Sequence, residues 1–254
     1  MNTVKRKSYL LILMLVSCCV KVEADDSWSF QLEPYIAAVS IEGDAGIGRA
    51  TGAEVDVDMD AILETLELGG MLHFEMLHKS GWGALIDYSF MDLGADVSGP
   101  RDGVIDAKVR QGVLQLEGFY RQQLQSSTLD YSLGIRWWDN DIDVDVDLAR
   151  LPGSLEASVE ADWVDLFIGA RWIKPVNDRW QLIARADVGG AGVESDFTAS
   201  VILGARYRLK ESMLLDLQYK STWVDFSEGT KGRPGYFSYD TVTHGPLIGL
   251  IFEF

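Results

Sequence analysis

Downstream of Asp25 the chain is built from segments in which large apolar side chains alternate with polar or small ones, a period of two that predicts strands with unlike faces. Over Trp163 to Trp172, Val164, Leu166, Ile168, Ala170 and Trp172 share one face, while Asp165, Phe167, Gly169 and Arg171 share the other. Trp180 to Gly189 sets Trp180, Leu182, Ala184, Ala186 and Val188 against Gln181, Ile183, Arg185, Asp187 and Gly189. Leu129 to Trp138 repeats the pattern, with Tyr131, Leu133, Ile135 and Trp137 opposite Asp130, Ser132, Gly134, Arg136 and Trp138. Helical periodicity is nearly absent. The pattern divides into strands at about 27–41, 65–78, 82–97, 107–122, 128–146, 162–174, 180–192, 197–209, 212–226 and 240–254.

Alternation alone fits a soluble sandwich as well as a membrane barrel, because both have one apolar face and one polar face. Three further features favour the barrel. Aromatic residues gather at strand ends (Trp28, Phe30, Trp82, Tyr120, Trp172, Trp180, Tyr207, Tyr219, Phe252, Phe254), as interfacial girdles do. The polar faces carry arginines and acids in mid-strand beside glycines, which suits a filled polar lumen. Short connections at 79–81, 125–127, 175–178 and 210–211 alternate with long ones at about 42–64, 98–106, 147–161 and 227–239, as periplasmic turns alternate with outer loops. The fold expected is all-β: a single antiparallel transmembrane β-barrel of up-and-down topology occupying residues 25–254. It has ten strands, or eight if the 180–209 hairpin is misread.

Residues 1–24 have the three parts of an export signal: basic Lys5, Arg6 and Lys7, an apolar run from Tyr9 to Val16, and a Val22-Glu23-Ala24 cleavage step. That apolar run is too short for a membrane-spanning helix, which needs about 20 residues. Leu15-Val16-Ser17-Cys18 also reads as a lipobox with Cys18 as the lipidated residue, so two cleavage schemes stand. Both cysteines lie in this leader, and cleavage after Ala24 leaves no disulfide. The formal charge of −17 argues against a nucleic-acid partner. At the other end Ile248, Leu250, Phe252 and Phe254 alternate with Gly249, Ile251 and Glu253. This aromatic ending is the pattern of the insertion signal read by the barrel assembly machinery, with Phe252 and Phe254 as its aromatic residues.

The chain resembles a broad group of small Gram-negative outer-membrane β-barrel proteins, the OmpA-like and OmpW-like barrels. The resemblance rests on Trp28-Ser29-Phe30 with Glu33-Pro34-Tyr35, Met71-Leu72-His73-Phe74-Glu75, Gly134-Ile135-Arg136-Trp137-Trp138, Gly169-Ala170-Arg171-Trp172 and Gly189-Gly190-Ala191-Gly192. It implies a barrel in the outer membrane, in contact with lipid and lipopolysaccharide, and carries over no catalytic residue and no cofactor.

Strand parity sends Glu33, His73, Glu75, Asp87, Glu117, Arg121, Asp130, Arg136, Asp165, Arg171, Arg185, Asp187, Arg206, Arg208 and Asp216 to the inward face. With both signs abundant, these predict a lumen filled by mutually paired charges, since unpaired buried charge is costly. A selective pore passing a small solute slowly is the alternative. Asp139, Asp141, Asp143, Asp145 and Asp147 are spaced by two, as are Asp56, Asp58 and Asp60. Each series forms a carboxylate face that is either a solvated strand extension or a surface site for Ca²⁺ or Mg²⁺ at Asp141, Asp143 and Asp145. Of the three histidines only His73 points inward, beside Glu75, so a Ser/His/acid site is not supported and no enzyme is expected. The loop at about 42–64 opens with glycine-rich Gly43 to Gly52 and runs into a short helix expected over Asp60 to Leu66, and its Gly46-Ile47-Gly48 lacks the context of a phosphate loop. Lys231 and Arg233 give the last loop a small basic patch toward lipopolysaccharide phosphate. The residues leave the ligand and the oligomeric state open.

Overall fold

The computed structural model describes residues 27–98, 104–147 and 154–254. The export leader expected at residues 1–24, with Cys18 and the Ala24 cleavage step, lies outside the described residues, as do residues 99–103 and 148–153. The elements are β1 (Trp28–Ala37), β2 (Ser40–Ile47), β3 (Ala50–Val57), α1 (Met59–Thr65), β4 (Leu66–His78), β5 (Trp82–Ser98) and β6 (Val104–Gln123). There follow β7 (Thr128–Asp147), β8 (Ser154–Pro175), β9 (Trp180–Gly190), β10 (Phe197–Lys210), β11 (Met213–Glu228) and β12 (Phe237–Glu253).

The wall is a closed, antiparallel, up-and-down barrel of ten strands, β1 and β4 through β12, each bonded to its neighbours in chain order. Closure is made by β1 on β12, in register Gln31↔Glu253 to Ala37↔Leu247, with Phe30 and Phe254 exchanging backbone hydrogen bonds at the rim. Up to the level of Tyr35 and Met71 the closed ring pairs each wall strand on both edges, which is what lets a β structure cross a bilayer.

The alternation predicted from sequence sorts the side chains. On β7, Tyr131, Leu133, Ile135 and Trp137 are exposed outside, while Asp130, Arg136, Trp138 and Asn140 are buried inside. Leu133 is 63% exposed, Ile168 61% and Leu203 59%; a continuous apolar belt left this open requires lipid around it, and this excludes the soluble sandwich. Aromatic pairs mark the short-turn rim, with Trp82 and Tyr120 centroids 5.2 Å apart and Trp180 and Tyr207 4.8 Å apart. Above the belt, β7 continues outward through Asp139, Asp141 and Asp143. A membrane-crossing strand needs about 9–11 residues, so nearly half of this 20-residue strand projects beyond the membrane.

Three predicted boundaries change. In the segment 42–64 the short helix expected over Asp60 to Leu66 is present as α1, whereas the glycine-rich run before it, expected as loop, is the hairpin β2/β3. The glycines serve its geometry rather than breaking it: at Gly43 a Cβ would sit 2.2 Å from the Asp240 carbonyl oxygen of the paired strand β12, and Gly48 takes the turn at φ 59°. The Asp56, Asp58 and Asp60 series therefore does not share a face, because Asp56 is in β3, Asp58 precedes α1 at its N-terminal boundary and Asp60 lies in its first turn. Finally, β8 begins at Ser154, so the expected loop 147–161 is strand from 154 onward, while the expected loop 227–239 narrows to 229–236 between β11 and β12. Acidic residues on both partners, such as Asp141 opposite Glu160, read as loop although they pair as a ladder.

Candidate functional site in the barrel lumen

The inward faces of the ten strands meet in a lumen filled in layers. Nearest the short turns is an ionic knot. Arg121 of β6 donates Nε and Nη2 hydrogen bonds to Asp130 of β7 at 2.7 and 2.8 Å, and Nη2 also reaches Glu75 of β4 at 3.2 Å. Arg171 of β8 grips the same two acids, Asp130 at 2.7 and 2.9 Å and Glu75 at 2.6 Å. Both guanidinium groups lie over the Phe119 ring, 5.5 and 5.3 Å from its centroid. Two arginines and two acids on four strands thus tie the wall together, and each charge has partners enough to offset its removal from water.

The next layer carries separate pairs. Arg185 meets Glu117 at 2.5 Å, Arg206 donates Nε to Asp216 at 2.8 Å, and Arg136 donates to Asp187 at 2.9 Å, to Gln115 and to Thr198. His73 is 3.2 Å from Asp87, which also accepts the Tyr35 hydroxyl proton at 2.9 Å. Every lumen acid and arginine named from parity lies in this interior; Arg208 sits at the rim, paired with Glu253 at 2.9 Å.

Above the charges the lumen turns apolar, against the sequence expectation of a polar interior throughout. Trp138 of β7 and Ala161 and Trp163 of β8 pack against Val224 and Phe226 of β11 and Phe237 of β12. Trp163 stacks on Phe226 with centroids 4.0 Å apart and planes 7° from parallel, and Trp138 stacks on Trp163 at 5.6 Å. Since β7 and β12 stand opposite each other in the ten-stranded ring, this layer crosses the bore. Asp165, fully buried beneath it, pairs with no arginine among the described residues: Oδ2 accepts the indole N–H of Trp138 and of Trp163 at 3.2 Å, and Oδ1 accepts the amide and hydroxyl of Ser195. The loop 191–196 is thereby tucked against the aromatic layer.

Outside the lumen, Asp141 faces Arg110 at 3.5 Å and Asp143 lies on the same outward row, while the side chain of Asp145 lies outside the described part. Among the described residues no three His, Cys, Asp or Glu side chains are grouped to hold a metal ion. His244 lies on the outer wall with Tyr219 at 2.8 Å and Glu42 at 3.4 Å; Phe252 and Phe254 also face outward. Lys220 and Tyr35, both inward, escaped the sequence reading, although strand parity from Asp216 and from Glu33 points to each. Lys220 makes no hydrogen bond or ion pair with a described residue.

A closed, ten-stranded, lipid-belted barrel with a plugged lumen is a membrane-spanning barrel of the outer-membrane class. No protein-family model and no curated protein matches the sequence. Among solved structures the chain is similar to the translocator domain of the autotransporter NalP from Neisseria meningitidis, with TM-score 0.52 and 13% identity over 90% of this chain and 88% of that one. It is similar also to the outer-membrane protease OmpT from Escherichia coli, with TM-score 0.50 and 8% identity over 91% and 98%. At these identities the likeness is one of fold.

Proposed function

We propose that this protein is a sealed outer-membrane barrel with a structural or surface-interaction role, presenting its long projecting strands to the exterior, and that it is not a conducting pore. The observation that carries the reading is the Trp138–Trp163–Phe226–Phe237 layer, which spans the bore from β7 to β12 above an ionic knot that ties β4, β6, β7 and β8. Two filled layers of opposite character leave a hydrated ion no shared path, since the upper one presents mainly ring faces across the bore. The projecting ends of β5 to β8 supply the exposed surface, with an acidic outer row along β7. Lipid and lipopolysaccharide are its surroundings, and the outward Phe252 and Phe254 are the residues for recognition by the assembly machinery. The reading includes no catalysis, because the one inward histidine, His73, is held between two carboxylates.

Planar-bilayer recording of the refolded protein tests this. The expected result is no steady single-channel conductance in the unmodified protein, with discrete openings in Trp163→Ala. Regular channels in the unmodified protein would overturn the sealed-barrel reading and favour slow passage of a small solute. Fractionation of inner and outer membranes, with faster gel migration of the unboiled protein, checks the location.

A further inference from the structure

The wall of the barrel is not bonded all the way up. β1 pairs with β4 from Trp28↔His78 to Tyr35↔Met71. Beyond that level β1 continues on β12 alone, through Ile36↔Ile248 and Ala37↔Leu247, and β4 continues on β5 alone, through Gly70↔Phe90 and Leu68↔Asp92. β2 continues the line of β1 along β12 from Ser40↔His244 upward, and β3 bonds to the other edge of β2, the edge on the β4 side, without bonding to β4. A split therefore opens between β1 and β4. Ile36, 70% exposed, flanks it on one side, and Gly70 and Leu68 flank it on the other, within the upper part of the apolar belt. Helix α1 crosses the top of the split from β3 to β4, anchored by the buried Ile62 and by the Met59 amide donating to the Ser40 hydroxyl at 3.0 Å.

Behind the split lies a chamber of about 90 Å³ whose lining is mainly apolar, including Ala37, Met71, Phe90, Val113 and Leu247. Its ceiling is Trp138, part of the aromatic layer. Its floor is Arg136, fully engaged by Asp187, Gln115 and Thr198, and Lys220, whose ammonium group has no such partner. A second, polar chamber of about 60 Å³ lies below and shares Tyr35, Lys220 and Leu247 with the first. The space is thus closed above by rings and below by ion pairs, apolar along its sides, and furnished with Lys220, a cation that makes no hydrogen bond or close ion pair among the described residues and feels Asp87 and Asp187 only at longer range. The two adjoining chambers, about 90 and 60 Å³, together match the roughly 150 Å³ of an apolar cavity that takes up benzene, so the pair suits a molecule of about one ring with its polar end at their boundary.

We propose that this chamber is a binding site for a compact apolar carboxylate, held with its hydrocarbon part against Met71, Phe90 and Trp138 and its carboxylate on Lys220, and admitted from the membrane through the split between β1 and β4. An acid of this kind partitions into the lipid interface, so a lateral opening serves it where a sealed bore does not. The proposal is independent of the sealed-bore reading: conductance tests the bore, and ligand titration tests the chamber.

The experiment is titration of the folded, micelle-embedded barrel with benzoate and with benzylamine, which keeps the ring and reverses the charge. Saturable benzoate binding is expected, with benzylamine about tenfold weaker or more, the scale of a charge-assisted hydrogen bond. Lys220→Met should remove that preference and Lys220→Arg should keep it. Absence of saturable benzoate binding, or equal affinity for the two probes, would overturn the site in the unmodified protein, whether or not the variants fold. Gly70→Trp tests the route, since a Cβ at Gly70 meets nothing within 4 Å and an indole there covers the split. Slower benzoate association at unchanged affinity is expected, and an unchanged rate would overturn lateral admission.

Discussion

Trp163 of β8 and Phe226 of β11 stack face to face across the lumen, 4.0 Å between centroids, although two strands of wall separate them along the sheet. The pair is therefore a cross-brace as well as a plug. Trp163→Ala removes a ring that is 1% exposed, together with one of the four hydrogen bonds to Asp165. Large-to-small changes of this kind cost about 3–5 kcal/mol where neighbours cannot collapse into the space. Urea unfolding followed by gel mobility should show a midpoint loss of that order. A loss under about 1 kcal/mol would mean that the layer is loosely packed.

Strand parity made the wall and the charged lumen readable from sequence, because a closed barrel places every second residue inside without exception from tertiary context. Trp138 and Trp163 were on the inward parity too, beside Arg136 and Asp165, but an interior identified by its charges gives no sign that its upper layer is aromatic. The missing information is height along the barrel axis: shear offsets the strands, and only the register, Trp138 opposite Trp163 on β7 and β8, puts the rings at one level. The β2/β3 hairpin was hidden for a different reason. Its glycines meet backbone and turn requirements, as at Gly43 against Asp240, which a single sequence shows only as a glycine-rich run. The split between β1 and β4 follows from that hairpin and was equally unreadable.

The ionic knot should show strong non-additivity. Arg171→Met leaves Asp130 to Arg121 alone and Glu75 to Arg121 and the more distant His73, and breaking a buried pair by removing one partner typically costs about 3–5 kcal/mol. Adding Glu75→Gln removes the charge left short of partners. The double variant is expected to be no less stable than Arg171→Met, measured by the same urea midpoint. Simple addition of the two single losses would show that the knot is four independent contacts.

Asp165 holds the loop 191–196 in place through Ser195, so Asp165→Asn should free that loop before it unfolds the barrel. An amide offers one acceptor oxygen and turns its NH₂ toward two donors, either the indoles or the Ser195 amide and hydroxyl. A cost of about 1–3 kcal/mol follows from leaving buried donors unmet. Hydrogen exchange at residues 191–196 should accelerate while exchange in β7 and β8 below Trp138 stays slow. Equal acceleration in both regions would assign Asp165 to global stability rather than to the loop.

On the outer wall above the belt, Asp225 of β11 stands directly opposite Asp240 of β12, with Asp196 close by. Partial burial, then repulsion from Asp240 and Asp196, push the Asp225 carboxyl above its ordinary value. With the folded-state value raised, the folded protein takes up this proton more readily than the unfolded chain. The resulting penalty is full above the raised value and is relieved as pH falls through it. Directly opposed like charges on a sheet destabilise by a few tenths to about 1 kcal/mol, and exposure and salt put this pair at the lower end. Asp225→Asn should therefore raise the midpoint slightly at pH 7 and low ionic strength, with the gain shrinking toward pH 4 and in high salt. A gain that persists undiminished at pH 4 would locate its cause in packing, not charge.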